Sequence, residues 1–434
     1  MRGYSKTSTR SESVPNYNTS SNNVVKKNRS GRKKKRNNLF SAFFSDEPLD
    51  TYLFLLVVAL TSIGLVMILS SSYYSAIEKF GTGYHYFKRQ FMWAALGLIA
   101  LLGVSKVNYN IVKRLSTIAY IGSIILLVAV FIIGVATKGA TRWIEIGSFI
   151  SFQPSEIAKI ALIAFLAMAL AKRKDISEYA LPKGSSMLSK IANSIGVYAK
   201  EIGIILIPTC LIIVENWSTA IVVCLTGAIM MSISGFKLER WIIAGIILFL
   251  IPFIFFIKAG GIDNLKGFAD GKYDKRLQRF ETWLDPFSDP TDSGFQTVQS
   301  LYAIGSGGIT GVGLGKSKQK LGYLPESHND MIFTIICEEF GLIGALVVLG
   351  LFMALIIKCS QIALHAPDKF SMYFVVGMMS LIALQVIINV GVVTGVIPNT
   401  GMPLPFISYG GTSLLFTMIG MGIVLNISRY SNKK

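Results

Sequence analysis

Apolar runs of about 17–25 residues, the length a helix needs to cross a hydrocarbon core, recur along the 434-residue chain between short polar clusters. They fall at about 51–72, 90–105, 117–136, 154–171, 241–257, 331–357, 371–395 and 408–427. From Glu201 to Phe236 the chain stays apolar. As one helix that stretch would be about 54 Å long, well beyond a bilayer. The polar break Glu215-Asn216-Trp217-Ser218 therefore predicts two short helices in a hairpin. Because the runs are continuous rather than alternating, they do not read as barrel strands. The predicted fold is an all-α polytopic membrane protein of about ten transmembrane helices. One large extracytoplasmic loop, 258–328, joins spans seven and eight. Residues 1–47 are expected to form a basic, disordered cytoplasmic tail, and 48–434 the membrane domain.

Composition agrees, with 52% hydrophobic and only 15% charged residues. The formal charge of +18 is concentrated, since eleven of the 42 Lys and Arg precede residue 40. Such a tail suits an anionic leaflet rather than nucleic acid. The basic clusters at 106–114, 172–200, 237–240 and 429–434 share the tail's side when 201–236 is a hairpin, which places both termini in the cytoplasm. The long loop then lies outside, without ATP or nucleotide sugars. A reaction there needs a substrate already energised and delivered in the membrane. Cys210, Cys224, Cys337 and Cys359 lie in or at the ends of apolar runs, with no metal-type spacing and no implied disulfide.

Ionisable residues inside spans are expensive and usually face a partner or a cavity. Glu156 and Lys159 share a helix face at the start of the fourth span, so they fit either a self-neutralising pair or a site lining, with Arg142 and Trp143 just upstream. Glu338 and Glu339 point about 100° apart on a helix. One is expected to serve packing and the other to face a cavity. In the loop, Asp285-Pro286, Asp289-Pro290 and Asp292-Ser293-Gly294 read as turns or as carboxylates for chemistry. The glycines from Gly305 to Gly315 lack phosphate-loop spacing, and His328 has no His or Cys at ligand spacing, so neither a nucleotide nor a zinc site is expected. Gly401 to Ser413 is rich in Pro and Gly and suits a hinge or a ligand contact equally.

Four stretches in order resemble the SEDS family (FtsW, RodA and SpoVE proteins). They are Arg142-Trp143 with Gln153-Pro154-Ser155-Glu156 and Lys159, and then Asp285-Pro286 through Asp289-Pro290 to Gln296. Lys320 with Leu324 to Asp330 and Glu338 to Gly341 follows, and last comes Gly401 to Gly411. The likeness spans about 50–430. It implies a peptidoglycan glycosyltransferase that polymerises lipid II at the outer face of the bacterial cytoplasmic membrane, for division, elongation or sporulation. Its implied partners are the growing glycan-polyprenyl diphosphate and a class B penicillin-binding protein. The Asp of the second Asp-Pro, here Asp289, is implied as the catalytic residue. Phe295 stands where many relatives carry Tyr, so no hydroxyl is required there.

Joining sugars from a polyprenyl diphosphate needs a base for the acceptor hydroxyl and cations for the departing diphosphate. Asp289 is the expected base, and Arg142, Lys159 and Lys320 the expected diphosphate contacts. Glu156, Glu326, His328 and Ser408 are further expected substrate contacts, supported by Trp143, Gln153, Gln296, Asp330, Glu338 and Glu339. No dedicated metal ligands stand out, so any Mg or Mn ion would be shared with the diphosphate. Two other readings stand beside the glycosyltransferase: a lipid II flippase, whose transport path would also need the charges in the spans, and a non-catalytic scaffold for a penicillin-binding protein.

Overall fold

The computed structural model describes residues 49–137, 140–146, 150–173, 187–214, 216–236, 283–287 and 294–431. Within these, 135–137, 140–142, 145–146, 150–151 and 187–195 are described by backbone alone. The basic tail, the expected seventh span at 241–257 and Asp289 lie outside the described residues.

The first three helices are α1 (Thr51–Phe80), α2 (His85–Lys106) and α3 (Tyr109–Ile133). Asp50 caps α1 by accepting from the Leu53 N–H at 3.1 Å, and Gly81 closes it in the left-handed conformation at φ 70°. At 30 residues α1 is about 45 Å long and so projects beyond the hydrocarbon layer. From the end of the predicted span at about 117–136 to the start of the one at about 154–171, where no element is expected, the chain folds into three antiparallel strands, β1 (Val135–Thr137), β2 (Ala140–Ile146) and β3 (Ile150–Phe152). Val135 pairs with Trp143 and Ile144 with Phe152. These β-branched and aromatic residues favour extended backbone, in runs too short for period counting to detect.

Next come α4 (Pro154–Ala171), α5 (Met187–Ile213) and α6 (Trp217–Ile233). The expected break between the last two is present. Asn216 caps α6, its side chain accepting from the Thr219 N–H at 3.1 Å. The remaining helices are α7 (Phe295–Gly307), α8 (Ile332–Leu364), α9 (Lys369–Val393) and α10 (Gly411–Ser431). Eight of the described helices are long and apolar enough to span a membrane, and α6 is a shorter apolar one. The chain is a multi-pass, mostly helical membrane protein.

Without water to squeeze out, packing inside a membrane relies on small residues that let backbones approach. α2 and α10 pack this way, since a Cβ on Gly422 would sit 2.7 Å from the Leu101 carbonyl and one on Gly97 would sit 2.4 Å from Met418 Sδ. α8 is broken at Gly341 (φ 64°, ψ −161°). The residues after α7 repair the break. Val312 and Gly313 donate N–H to the Glu338 and Glu339 carbonyls at 3.0 and 2.9 Å, and Gly308 and Ile309 accept from Leu342 and Ile343 at 2.9 and 3.2 Å. Every freed backbone group named here finds a partner, as burial requires.

Candidate active site

A cavity of about 850 Å³ opens among α2, α4, α6, the start of α7 and the segment 397–413. Trp143, Gln153, Glu156 and Lys159 line it from β2 and the start of α4, Gln296 from α7, and Glu326, Asn329 and Asp330 from the approach to α8. Residues more than 150 positions apart in the sequence thus share one space.

Pro154 occupies the first turn of α4, where its missing N–H costs nothing. Glu156 then sits where the helix dipole favours an acid. Lys159 Nζ lies 2.9 Å from both carboxylate oxygens of Glu156, and the two side chains are only 5% and 8% exposed. The pair reaches the cavity wall already neutralised. On the other wall, Glu326 takes a left-handed backbone (φ 57°) and accepts from the Asn329 side-chain amide. The Asn389 amide holds this turn by donating to the Asp330 carbonyl at 2.7 Å and to the Met402 carbonyl at 2.8 Å. Gln296 accepts from the Asn399 amide at 2.7 Å, and Ser218 donates to the Thr400 carbonyl at 2.9 Å, so 397–403 is tied to both α7 and α6.

That arrangement fits a matched family model covering residues 50–433. The chain belongs to the FtsW/RodA/SpoVE family of cell cycle proteins. It is 36% identical over 384 residues to a probable peptidoglycan glycosyltransferase FtsW from Geobacter metallireducens, covering 88% of this chain and 95% of that one. To the stage V sporulation protein E of Bacillus subtilis it is 38% identical over 387 residues, covering 88% and 97%. Among solved structures it resembles a chain of a peptidoglycan synthase complex that coordinates polymerization and crosslinking. The TM-score there is 0.69 at 26% identity, over 89% of this chain and 99% of that one. Thermus thermophilus RodA matches in fold, with TM-score 0.62 at 24% identity over 89% and 98%.

Within this family member, several expected site residues sit away from the cavity. Lys320, expected on the diphosphate, is 8% exposed and bound to Glu339 at 2.7 Å and to Ser70 Oγ at 2.9 Å. Neither Glu338 nor Glu339 lines the cavity, contrary to the expectation that one would. Glu338 accepts from Ser317 Oγ at 2.5 Å and from the Lys318 N–H at 2.8 Å, and Glu339 accepts from Ser70 at 2.7 and 2.9 Å. A buried carboxylate needs such partners, and residues 317–320 together with Ser70 of α1 supply them. His328 is buried against Tyr86, with ring centroids 4.3 Å apart, and its carbonyl accepts from the Tyr409 N–H. Ser408 Oγ accepts from the Leu404 N–H at 2.8 Å and shapes a turn rather than lining the cavity. For Arg142 the backbone lies in β2, and its side chain is outside the described residues, as is Asp289.

Other lining residues carried no signal as site candidates. Arg89 and Trp93 lie on α2, and Asn216 to Thr219 begin α6. The polar break at Asn216 is legible as a hairpin, yet only the fold shows that it opens onto the cavity. Among the described residues no cluster of His, Cys, Asp or Glu is arranged to hold a metal ion.

Proposed function

We propose that this protein is a peptidoglycan glycosyltransferase that polymerises lipid II at the outer face of the bacterial cytoplasmic membrane, with both termini inside. The observation that carries the reading is the cavity, which joins a neutralised Glu156–Lys159 pair to Glu326 and Asp330 within a family whose relatives bear that name. Its polar wall suits sugars, and the apolar helix faces around it suit prenyl chains.

In the reaction, the acceptor 4-hydroxyl attacks the anomeric carbon of the donor sugar. The bond from that carbon to the diphosphate breaks with its electron pair, and the hydroxyl proton passes to a carboxylate. Asp289 is the base. The described residues on both sides of it support this assignment, because each is fastened to a segment at the cavity edge. Trp283 Nε1 donates to the Gly395 carbonyl at 3.0 Å, and Gln296 holds Asn399. A positioned base typically contributes about 10²–10⁴-fold. A divalent ion, if used, would be held by Glu326 or Asp330 together with the diphosphate and would supply positive charge to the leaving group. The partner is a crosslinking transpeptidase of the penicillin-binding protein class, as the resemblance to a chain of a polymerising and crosslinking complex supports.

The test is polymerisation of lipid II in detergent with a partner whose transpeptidase serine is mutated. Detergent abolishes vectorial transport, so glycan chains distinguish a polymerase from a flippase. Asp289→Ala should insert and bind its partner yet make no chains. Full polymer yield from that variant would refute the base assignment, and no chains from the wild type would refute the reading.

A further inference from the structure

A departing polyprenyl diphosphate must be met by positive charge. Among the described residues that line the cavity, the cations are Arg89 and Lys159. Lys159 is committed to both oxygens of Glu156, out of solvent. Recruiting it would leave a buried carboxylate unpaired, which is strongly unfavourable. Arg89 stands differently. It is exposed, and among the described residues no carboxylate lies within the 4.0 Å ion-pair distance of it.

The backbone that carries Arg89 is held firmly. The next residue, Gln90, is 1% exposed and clamps the segment before α10, accepting from the Gly410 N–H at 3.1 Å and donating to the Ser408 carbonyl at 3.4 Å. One turn further along α2, Trp93 lies against Gly411, where a Cβ would meet its indole at 2.3 Å. Tyr409 lines the cavity along with Arg89. Thr412 and Ser413 line the same cavity. The result is a cation on a rigid mount at the cavity wall, with no ion pair to any described carboxylate.

We propose that Arg89 binds the diphosphate of the prenyl-linked sugar, while Lys159 remains with Glu156. The proposal deepens the glycosyltransferase reading and rests on it. A guanidinium presents paired N–H donors that match two phosphate oxygens, which a lysine ammonium cannot do. The sugar end of the substrate would then extend toward Glu326 and Asp330.

The test measures binding apart from turnover. The full chain in detergent is titrated with a long-chain polyprenyl diphosphate, with the uncharged polyprenol as control, by ligand-induced thermal stabilisation. Lipid II polymerisation is measured alongside. Arg89→Ala should weaken diphosphate binding and raise KM by roughly 10- to 100-fold, the loss expected for charge-assisted hydrogen bonds. Arg89→Lys should fall between, and Lys88→Ala, exposed but absent from the cavity wall, should match the wild type. Polyprenol binding should not change. If Arg89→Ala misfolds, Arg89→Gln serves for the same comparison. A folded Arg89→Ala or Arg89→Gln with wild-type diphosphate affinity overturns the proposal, as does equal binding of diphosphate and polyprenol by the wild type. Wild type that binds the diphosphate through Arg89 yet makes no chains leaves this site standing and sinks the glycosyltransferase reading alone.

Discussion

Lys320 Nζ lies 2.7 Å from Glu339 Oε1, across 19 residues of sequence and two residues short of the break in α8 at Gly341. The contact pins the irregular segment after α7 to the membrane helix. Removing one member of a buried pair costs roughly 3–5 kcal/mol, whereas replacing both with apolar groups is often nearly neutral. Lys320→Met should therefore lower the thermal unfolding midpoint sharply, and Lys320→Met with Glu339→Leu should recover much of the loss. KM for lipid II should stay near wild type in the recovered variant. A large KM increase there would return Lys320 to the diphosphate.

The Glu156–Lys159 pair makes a different forecast because it touches the cavity. Lys159→Met should destabilise by leaving Glu156 unpaired, and Glu156→Gln added to it should restore stability through a coupling of about 1–3 kcal/mol. Polymerisation should not return with stability if the pair also shapes the substrate wall. Unfolding midpoints and chain yields on the same four proteins complete the cycle.

Gly341 and Gly350 share α8 but not their surroundings. At Gly341 the backbone has φ 64°, and a Cβ would lie 2.4 Å from both Gly311 N and Ile309 O. Gly350 has open space around a Cβ. Gly341→Ala should cost several times the roughly 1 kcal/mol range of a mid-helix glycine effect and reduce the folded yield. Gly350→Ala should be neutral or slightly stabilising. Expression with size-exclusion profiles checks both, and equal behaviour of the two would contradict the observed break.

Acid should loosen the start of α9. Asp368 caps it, accepting from the Ser371 N–H at 2.9 Å, and meets Lys113 at 3.2 Å. Burial raises the Asp368 pKa, but the Ser371 hydrogen bonds and Lys113 outweigh it and leave the carboxyl below its ordinary value. A carboxylate depressed on folding stabilises fully above its unfolded pKa, and the contribution disappears as pH falls through the folded one. Asp368→Ala should cost about 1 kcal/mol near neutrality, a usual capping loss. The gap between wild type and variant should narrow in unfolding scans run toward pH 3.

Much of the architecture is legible in residue order because a membrane makes length and apolarity decisive. A helix must satisfy its own backbone and present hydrocarbon over a fixed thickness. This is why α4 begins and ends where the apolar pattern places it, and why Asn216 marks the hairpin. Helical spacing also put Glu156 beside Lys159, since a three-residue step is a local relation. Partners that meet only through the fold are another matter. Lys320 and Glu339 carry charges that look equally fit for a substrate, and nothing in their spacing says they satisfy each other. Arg89 reads as an ordinary loop-edge cation, and it becomes a cavity residue only because Gln90 ties α2 to the turn before α10. The order of residues decided which groups must leave water and which segments cross the lipid. Beyond the local Glu156–Lys159 pair, tertiary packing decided which distant charges neutralise one another and which cation is left facing the cavity, because a Coulombic partner is chosen by distance in space.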